Sequence, residues 1–216
     1  MNIVLFGPPG AGKGTQASNI AKHFALHKIS TGDLLRNEIK KKTTLGNEIN
    51  SIISKGLFVS DNIINNLVLN ILSFENFKNN LIFDGYPRNL NQAKKLDSLM
   101  KKNNQKISCV LSLDVDKDVI VKRILGRQVC TKCGSIFNKY YYPATDKNHA
   151  CLSKFLETRS DDNEATILHR YNTYLDKTLP ILNFYKDQNL LNQINGSYDI
   201  DQIFKEIRAI IASLET

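Results

Sequence analysis

The chain opens with a short apolar run, Asn2-Ile3-Val4-Leu5-Phe6, that stops abruptly at Gly7-Pro8-Pro9-Gly10-Ala11-Gly12-Lys13. Beyond Lys13 the apolar residues Ala17, Ile20, Ala21 and Phe24 fall on one helical face. A buried strand that passes through a glycine-rich turn into a helix is the βα unit of a parallel sheet, so this opening already narrows the fold to α/β. The turn fits G-x-x-x-x-G-K, and that spacing suits phosphate. Glycines let backbone N–H groups converge on phosphate oxygens, the helix N-terminus adds partial positive charge, and the lysine reaches the terminal phosphates. Gly10, Ala11, Gly12, Lys13, Gly14 and Thr15 are the candidate contacts. One position departs from the general motif: Gly14 stands where a Mg²⁺-binding Ser or Thr is usual, and Thr15 comes one residue later. A Mg²⁺ ion here therefore relies on the nucleotide, water and an acidic residue elsewhere. Asp84, closing the apolar run Leu81-Ile82-Phe83, has the expected place, although a turn or helix cap would also account for it.

Further strand-like runs lie at 81–83, 109–113 and 190–194, with helical patterns at 62–72, 92–100, 117–125 and 164–185 between them. Pro180 predicts a break or kink in the last helix. Two stretches leave this rhythm. Residues 30–59 are helical in pattern and open on the helix-start signature Ser30-Thr31-Gly32-Asp33; residues 126–163 are rich in Cys, Tyr and turn formers. Both read as excursions from a core sheet. At 216 residues the chain fits one α/β domain with insertions, and 42% hydrophobic against 23% charged residues excludes a disordered polymer. The net charge of +8 predicts an anionic partner without saying which. No run reaches the ~18 apolar residues of a membrane span, and the start lacks the basic segment of a signal peptide. The expectation is a soluble cytoplasmic protein with reduced thiols or a metal in place of disulfides.

Four separated motifs, Gly7-x-Pro9-Gly10-x-Gly12-Lys13-Gly14-Thr15, Ser30-Thr31-Gly32-Asp33, Asp84-Gly85-Tyr86-Pro87-Arg88 and Arg159-Ser160-Asp161-Asp162, occur in an order that resembles the adenylate kinases, in the long form typical of bacteria. The resemblance spans essentially the whole chain. It implies an α/β fold with a five-stranded parallel P-loop sheet flanked by helices, and reversible Mg²⁺-dependent transfer between ATP and AMP to give two ADP. It divides the chain into a core (1–29, 60–125 and 164–216), an AMP-binding insertion (30–59) and a lid (126–163). Carried over position by position, Thr31, Arg36, Leu57, Phe58, Val59, Gly85, Tyr86, Pro87, Arg88 and Gln92 would bind AMP, with Tyr86-Pro87 cis. Arg123, Arg127, Ile136, Phe137 and Tyr198 would contact ATP beside the phosphate loop. Arg159 and Arg170 would join the AMP-binding set and reach the phosphates, and Asp33 and Asp84 would orient hydrated Mg²⁺. Lys13, Arg88, Arg123, Arg159 and Arg170 are thus the catalytic candidates, and six of the seven arginines take part; Arg208 reads as a surface charge. The implied enzyme is a cytoplasmic monomer without a nucleic-acid or membrane partner.

The lid carries Cys130-Thr131-Lys132-Cys133-Gly134, half of a structural Zn²⁺ site of the kind some relatives complete with a second C-x-x-C or C-x-x-D. Here the second half is irregular, because Lys154 stands three residues beyond Cys151. Cys130, Cys133, His149 and Cys151 form the candidate Cys₃His set. The alternative is a metal-free lid held by hydrogen bonds and the packing of Tyr140, Tyr141 and Tyr142. Cys109, in an apolar strand, reads as core.

Other functions fit less well. Kinases of uridylate and cytidylate share the first motifs, and Asn89 leans toward them. They usually lack a long cysteine-bearing lid, and the Gln92 amide, which both donates and accepts, favours an adenine edge. A basic nucleic-acid-binding module would need a cationic stripe interleaved with aromatics, whereas the lysine pairs are scattered. A regulatory GTPase would carry N-K-x-D, which is absent.

Overall fold

The computed structural model describes residues 1–55, 57, 59–72, 74 and 77–214. Its strands, in chain order, are β1 (Asn2–Phe6), β2 (His27–Ser30), β3 (Leu81–Asp84), β4 (Cys109–Asp114), β5 (Arg127–Cys130), β6 (Ile136–Asn138), β7 (Leu156–Glu157) and β8 (Leu191–Asn195). The helices are α1 (Lys13–His23), α2 (Thr31–Lys40), α3 (Thr44–Ile53), α4 (Asp61–Leu72), α5 (Leu90–Lys102), α6 (Lys117–Leu125), α7 (Glu164–Thr173), α8 (Ile181–Lys186) and α9 (Ile200–Ala212). Five strands build one sheet in the order β2-β3-β1-β4-β8, with every neighbouring pair parallel. Parallel strands need helical crossovers that cover both faces, which is why β1 is buried along its whole length. Its side chains divide by alternation. Val4 and Phe6 join Phe83, Val110, Leu96 and Tyr185 in one core; Ile3 and Leu5 join Ile20, Leu111, Ile120 and Ile207 in the other.

The residue pattern identified four of these strands. The fifth, β2, lies at the sheet edge, where His27 and Lys28 are exposed and only Ile29 and Ser30 are buried. An edge strand of mixed polarity carries little apolar signal of its own; it exists because it pairs with β3, with Ser30 opposite Asp84. The predicted helix over 164–185 is divided. Leu179 N–H donates to Tyr174 O at 2.8 Å, an i to i−5 bond that marks a wide turn over Tyr174–Thr178. Pro180, which has no N–H to give, then sits at the start of α8. The wide turn brings Thr178 Oγ1 to the Arg88 carbonyl at 2.8 Å.

Residues between β5 and β7 form a separate antiparallel sheet in the order β6-β5-β7. Its first strand starts at Arg127, directly after α6. In the main sheet, by contrast, the C-terminal ends of β1, β2, β3 and β8 lead to Gly7, Thr31, Gly85 and Gly196, all at one edge. That edge is where helices begin and where an anion is best received. Gly196 closes it: a Cβ there would lie 2.6 Å from Val115 Cγ2 and 3.1 Å from the Asp114 carbonyl, while its own N–H donates to that carbonyl at 2.7 Å. Gly196→Ala should therefore cost about 1–3 kcal/mol through overpacking, read as a lower midpoint in thermal or urea unfolding.

Candidate active site

The loop after β1 turns with Gly10 and Gly12 at φ of 82° and 92°. A Cβ at Gly10 would also meet Ile124 Cγ1 at 2.7 Å, so α6 packs directly on the loop backbone. Gly12 caps α1, whose first N–H groups face the cleft. Lys13 Nζ folds back and donates to the Gly7 and Pro8 carbonyls at 2.7 and 2.8 Å. Burial pulls the Lys13 ammonium down to about 8; Asp84 opposes this, and Arg88, Arg170 and Arg127 reinforce it. Asp84 Oδ2 stands 3.5 Å from where a Cβ at position 14 would be, so Gly14 brings the carboxylate close to the loop backbone. Burial pushes the Asp84 carboxyl upward, countered by Lys13 and Lys28.

Around this loop the structure gathers the predicted arginines. Arg88 Nε donates to Gly85 O at 2.8 Å, and Thr31 Oγ1 donates to the same carbonyl at 2.8 Å. The intervening Tyr86–Pro87 peptide is cis, as the resemblance implied, and the Tyr86 hydroxyl donates to Asn65 Oδ1 at 2.8 Å. Arg127 makes a two-pronged bond to Asp162. Arg170 Nη1 bonds Asp161 Oδ2 at 2.6 Å. Arg123 Nη1 donates to Gly196 O at 2.7 Å, and its guanidinium lies 5.6 Å from the Tyr141 ring centroid. The Tyr198 carbonyl accepts from Arg123 Nη2 at 3.4 Å. Burial lowers Arg88 and Arg159 to about 10, with the further push of Arg170 on Arg88 and of Arg127 on Arg159. These cations repel one another across a shared cleft, Asp84 and Asp161 oppose that repulsion at Lys13 and Arg170, and burial outweighs both.

A second recess opens beside them, lined by Thr31, Gly32, Leu35, Arg36, Ile53, Leu57, Val59, Ile64, Gly85, Arg88, Gln92, Asp161 and Arg170. Eight of these were candidates for the monophosphate from the sequence resemblance: Thr31, Arg36, Leu57, Val59, Gly85, Arg88, Gln92 and Arg170. Phe58 lies outside the described residues. Arg36 pairs with Asp33 at 2.5 Å, and that ion pair holds the Asp33 carboxyl below its ordinary range against the cost of its burial. Sequence reasoning passed over Leu35, Ile53 and Ile64, the apolar walls, because an apolar residue on a helix looks the same whether it faces core or cleft. It also gave no role to Asp161 and Asp162, although two acids directly after Arg159 were a readable signal for ion pairing.

In the small sheet, the Cys130, Cys133 and Cys151 sulfurs and a His149 ring nitrogen all lie within 4.8 Å of one another. His149 Nε2 is buried without a hydrogen-bond partner, an expense that a metal ligand would remove. Hydrogen bonding to the Ser135 side chain and backbone draws the Cys133 thiol down to about 6. The Phe137 ring is turned inward, stacked on Tyr142 and edge-on to His149, while Ile136 is partly exposed. Cys109 is fully buried in β4, as its strand context predicted.

Comparison with known proteins agrees with this geometry. A family model described as adenylate kinase matches residues 5–190. Among similar curated proteins, the adenylate kinase of Pelagibacter ubique is 45% identical over 211 residues, covering 98% of this chain and 99% of that protein. That of Thermosipho melanesiensis is 39% identical, with 98% and 99% covered. That of Archaeoglobus fulgidus is 36% identical over the full length of both. These relatives support neither a pyrimidine nucleotide kinase nor a nucleic-acid-binding module. With a phosphate loop, a converging set of guanidiniums and full-length relatives all in agreement, this chain belongs to the adenylate kinase family, the nucleoside monophosphate kinases that transfer a phosphoryl group between ATP and AMP.

Proposed function

We propose that ATP lies along the phosphate loop from Gly10 to Thr15, and that AMP occupies the recess between α2, α4 and the Gly85–Arg88 turn. The carrying observation is the set of buried cations gathered at the sheet edge, Lys13, Arg88 and Arg159, each held below its ordinary proton affinity first by burial and further by neighbouring guanidiniums. Arg123, Arg127 and the segment at Tyr198 border the ATP side; Arg36, Arg88 and Gln92 border the AMP side. In transfer, an AMP phosphate oxygen forms a bond to the γ-phosphorus as the bond to the β-γ bridging oxygen breaks. The acceptor is already ionised, so no general base is required. The protein's work is alignment and charge neutralisation, supplied by Lys13, Arg88, Arg123, Arg159 and Arg170. Mg²⁺ arriving with ATP would supply further neutralisation of its phosphates, and Asp84 and Asp33 are the carboxylates placed to orient its water shell. The excursion at 126–163 acts as a lid that excludes competing water. Both subsites draw on residues of one chain, and the family relationship supports a cytoplasmic monomer working on free nucleotides, without nucleic acid or membrane. Among the described residues no helix is long and apolar enough to cross a membrane.

The lid residues Cys130, Cys133, His149 and Cys151 suit a closed tetrahedral Zn²⁺ site, which would tie β5 and the turn after it to the 149–151 segment. The compact donor set and the unpartnered buried nitrogen of His149 support this reading.

Three outcomes are expected. Arg88→Ala should lower kcat for ATP plus AMP by about a hundredfold or more, measured as coupled ADP production. Purified protein should hold one zinc per chain by elemental analysis; Cys130→Ser should abolish that and lower the unfolding midpoint. Lys13 gives a pH signature. At pH 8 its ammonium is about half protonated in the free protein, and a neighbouring phosphate raises its affinity for the proton. ATP binding at that pH should therefore take up protons, read by calorimetry in buffers of different ionisation heat and missing in Lys13→Arg.

A further inference from the structure

The Gln92 side chain is buried at the wall of the monophosphate recess, and both ends of its amide are already engaged. Its Nε2 donates to Asp61 Oδ1 at 2.6 Å, and its Oε1 accepts from the Arg88 backbone N–H at 2.8 Å. Asp61 also accepts from Asn89 Nδ2 at 2.9 and 3.0 Å, so the carboxylate is itself held in place. Each partner has a single sign: a carboxylate only accepts and a backbone N–H only donates. Turning the amide over would set NH₂ against N–H and C=O against a carboxylate. Which end is nitrogen thus follows from the partners alone.

An amide has two N–H bonds and two lone pairs, and one of each is used here. What remains for the recess is one donor on the Asp61 side and one acceptor on the Arg88 side. Adenine offers the matching pair on its N1–N6 edge, an acceptor beside a donor. A 6-oxopurine offers the reverse, an N1–H donor beside an O6 acceptor. We infer that Asp61, which lines no part of the recess, is a specificity-positioning residue: by fixing the direction of the Gln92 amide it makes the pocket accept a 6-aminopurine monophosphate and reject a 6-oxopurine one. This rests on Gln92 meeting the base of AMP, as proposed above.

Asp61→Asn removes the single sign on the Nε2 side, because an Asn amide can present either end to Gln92, and Asp61→Ser removes that contact; in both, the Arg88 N–H alone is left to set the amide's direction. The test measures kcat and KM for AMP and for IMP, which differs from AMP only at the edge in question. Both variants should raise KM for AMP about tenfold with kcat held within about twofold, and lower the AMP-over-IMP ratio of kcat/KM at least about fivefold. Gln92→Leu, assayed alongside, should lower that ratio as well. If Gln92→Leu lowers the ratio and both Asp61 variants keep it within about twofold of the parent, the inference is overturned and the placing of Gln92 stands. An unchanged ratio in Gln92→Leu overturns both. A fall in kcat that is equal for the two nucleotides, with base preference intact, assigns Asp61 a structural role and also overturns the inference. Two substitutions at position 61, both retaining a side chain suited to a helix start, keep a folding defect in either from deciding the matter.

Discussion

The burial of several like charges in one cleft is the constraint around which this molecule is arranged. Lys13, Arg88, Arg127, Arg159 and Arg170 share one cleft, and burial there makes Lys13, Arg88, Arg159 and Arg170 less able to hold their protons. A free protein can tolerate such a cluster only by spreading it over rigid elements and giving each member a local partner. The partners are carbonyls for Lys13, Arg88 and Arg123, and carboxylates for Arg127 and Arg170. A polyphosphate supplies the negative charge that those partners do not, which makes ligand binding and the electrostatics of the free fold two sides of one balance.

The rest of the architecture serves that balance. A parallel sheet delivers several loops to one edge, and α1 opens with its N–H groups toward the same place. The wide turn before Pro180 sets Thr178 on the Arg88 carbonyl, so the backbone of a central arginine is held from a helix distant in sequence. Asp161 and Asp162 sit where the small sheet rejoins the main body, and their pairs with Arg170 and Arg127 tie that junction to the cleft. The same guanidiniums that these carboxylates hold are the ones proposed above to receive phosphate.

Much of this was legible in the residues because it depends on local patterns. The Gly7–Lys13 turn announces strand, loop and helix within a dozen positions, and the Cys130–Cys133 knuckle announces a tight metal-sized turn. The edge strand β2 was not legible as a run, since His27 and Lys28 face water and its identity comes from pairing with β3. Nor were the apolar walls of the recess beside Arg88, because Leu35, Ile53 and Ile64 differ from core residues only in what lies across from them. Asp61 belongs to the same class: thirty-one positions from Gln92, it acquires a role only when α4 and α5 pack together.

By itself, then, the sequence determined the class of chemistry, since a phosphate loop and a small set of guanidiniums at separated motifs can be recognised from spacing and residue type. Only the tertiary structure decided which groups are shared and which are opposed. It buried Lys13 among arginines, which weakens its hold on a proton, faced His149 with three sulfurs, and turned the Gln92 amide one way and not the other. The reason is physical: spacing along the chain specifies local backbone geometry, whereas charge coupling, burial and the direction of a hydrogen bond depend on distances that exist only after distant segments have packed.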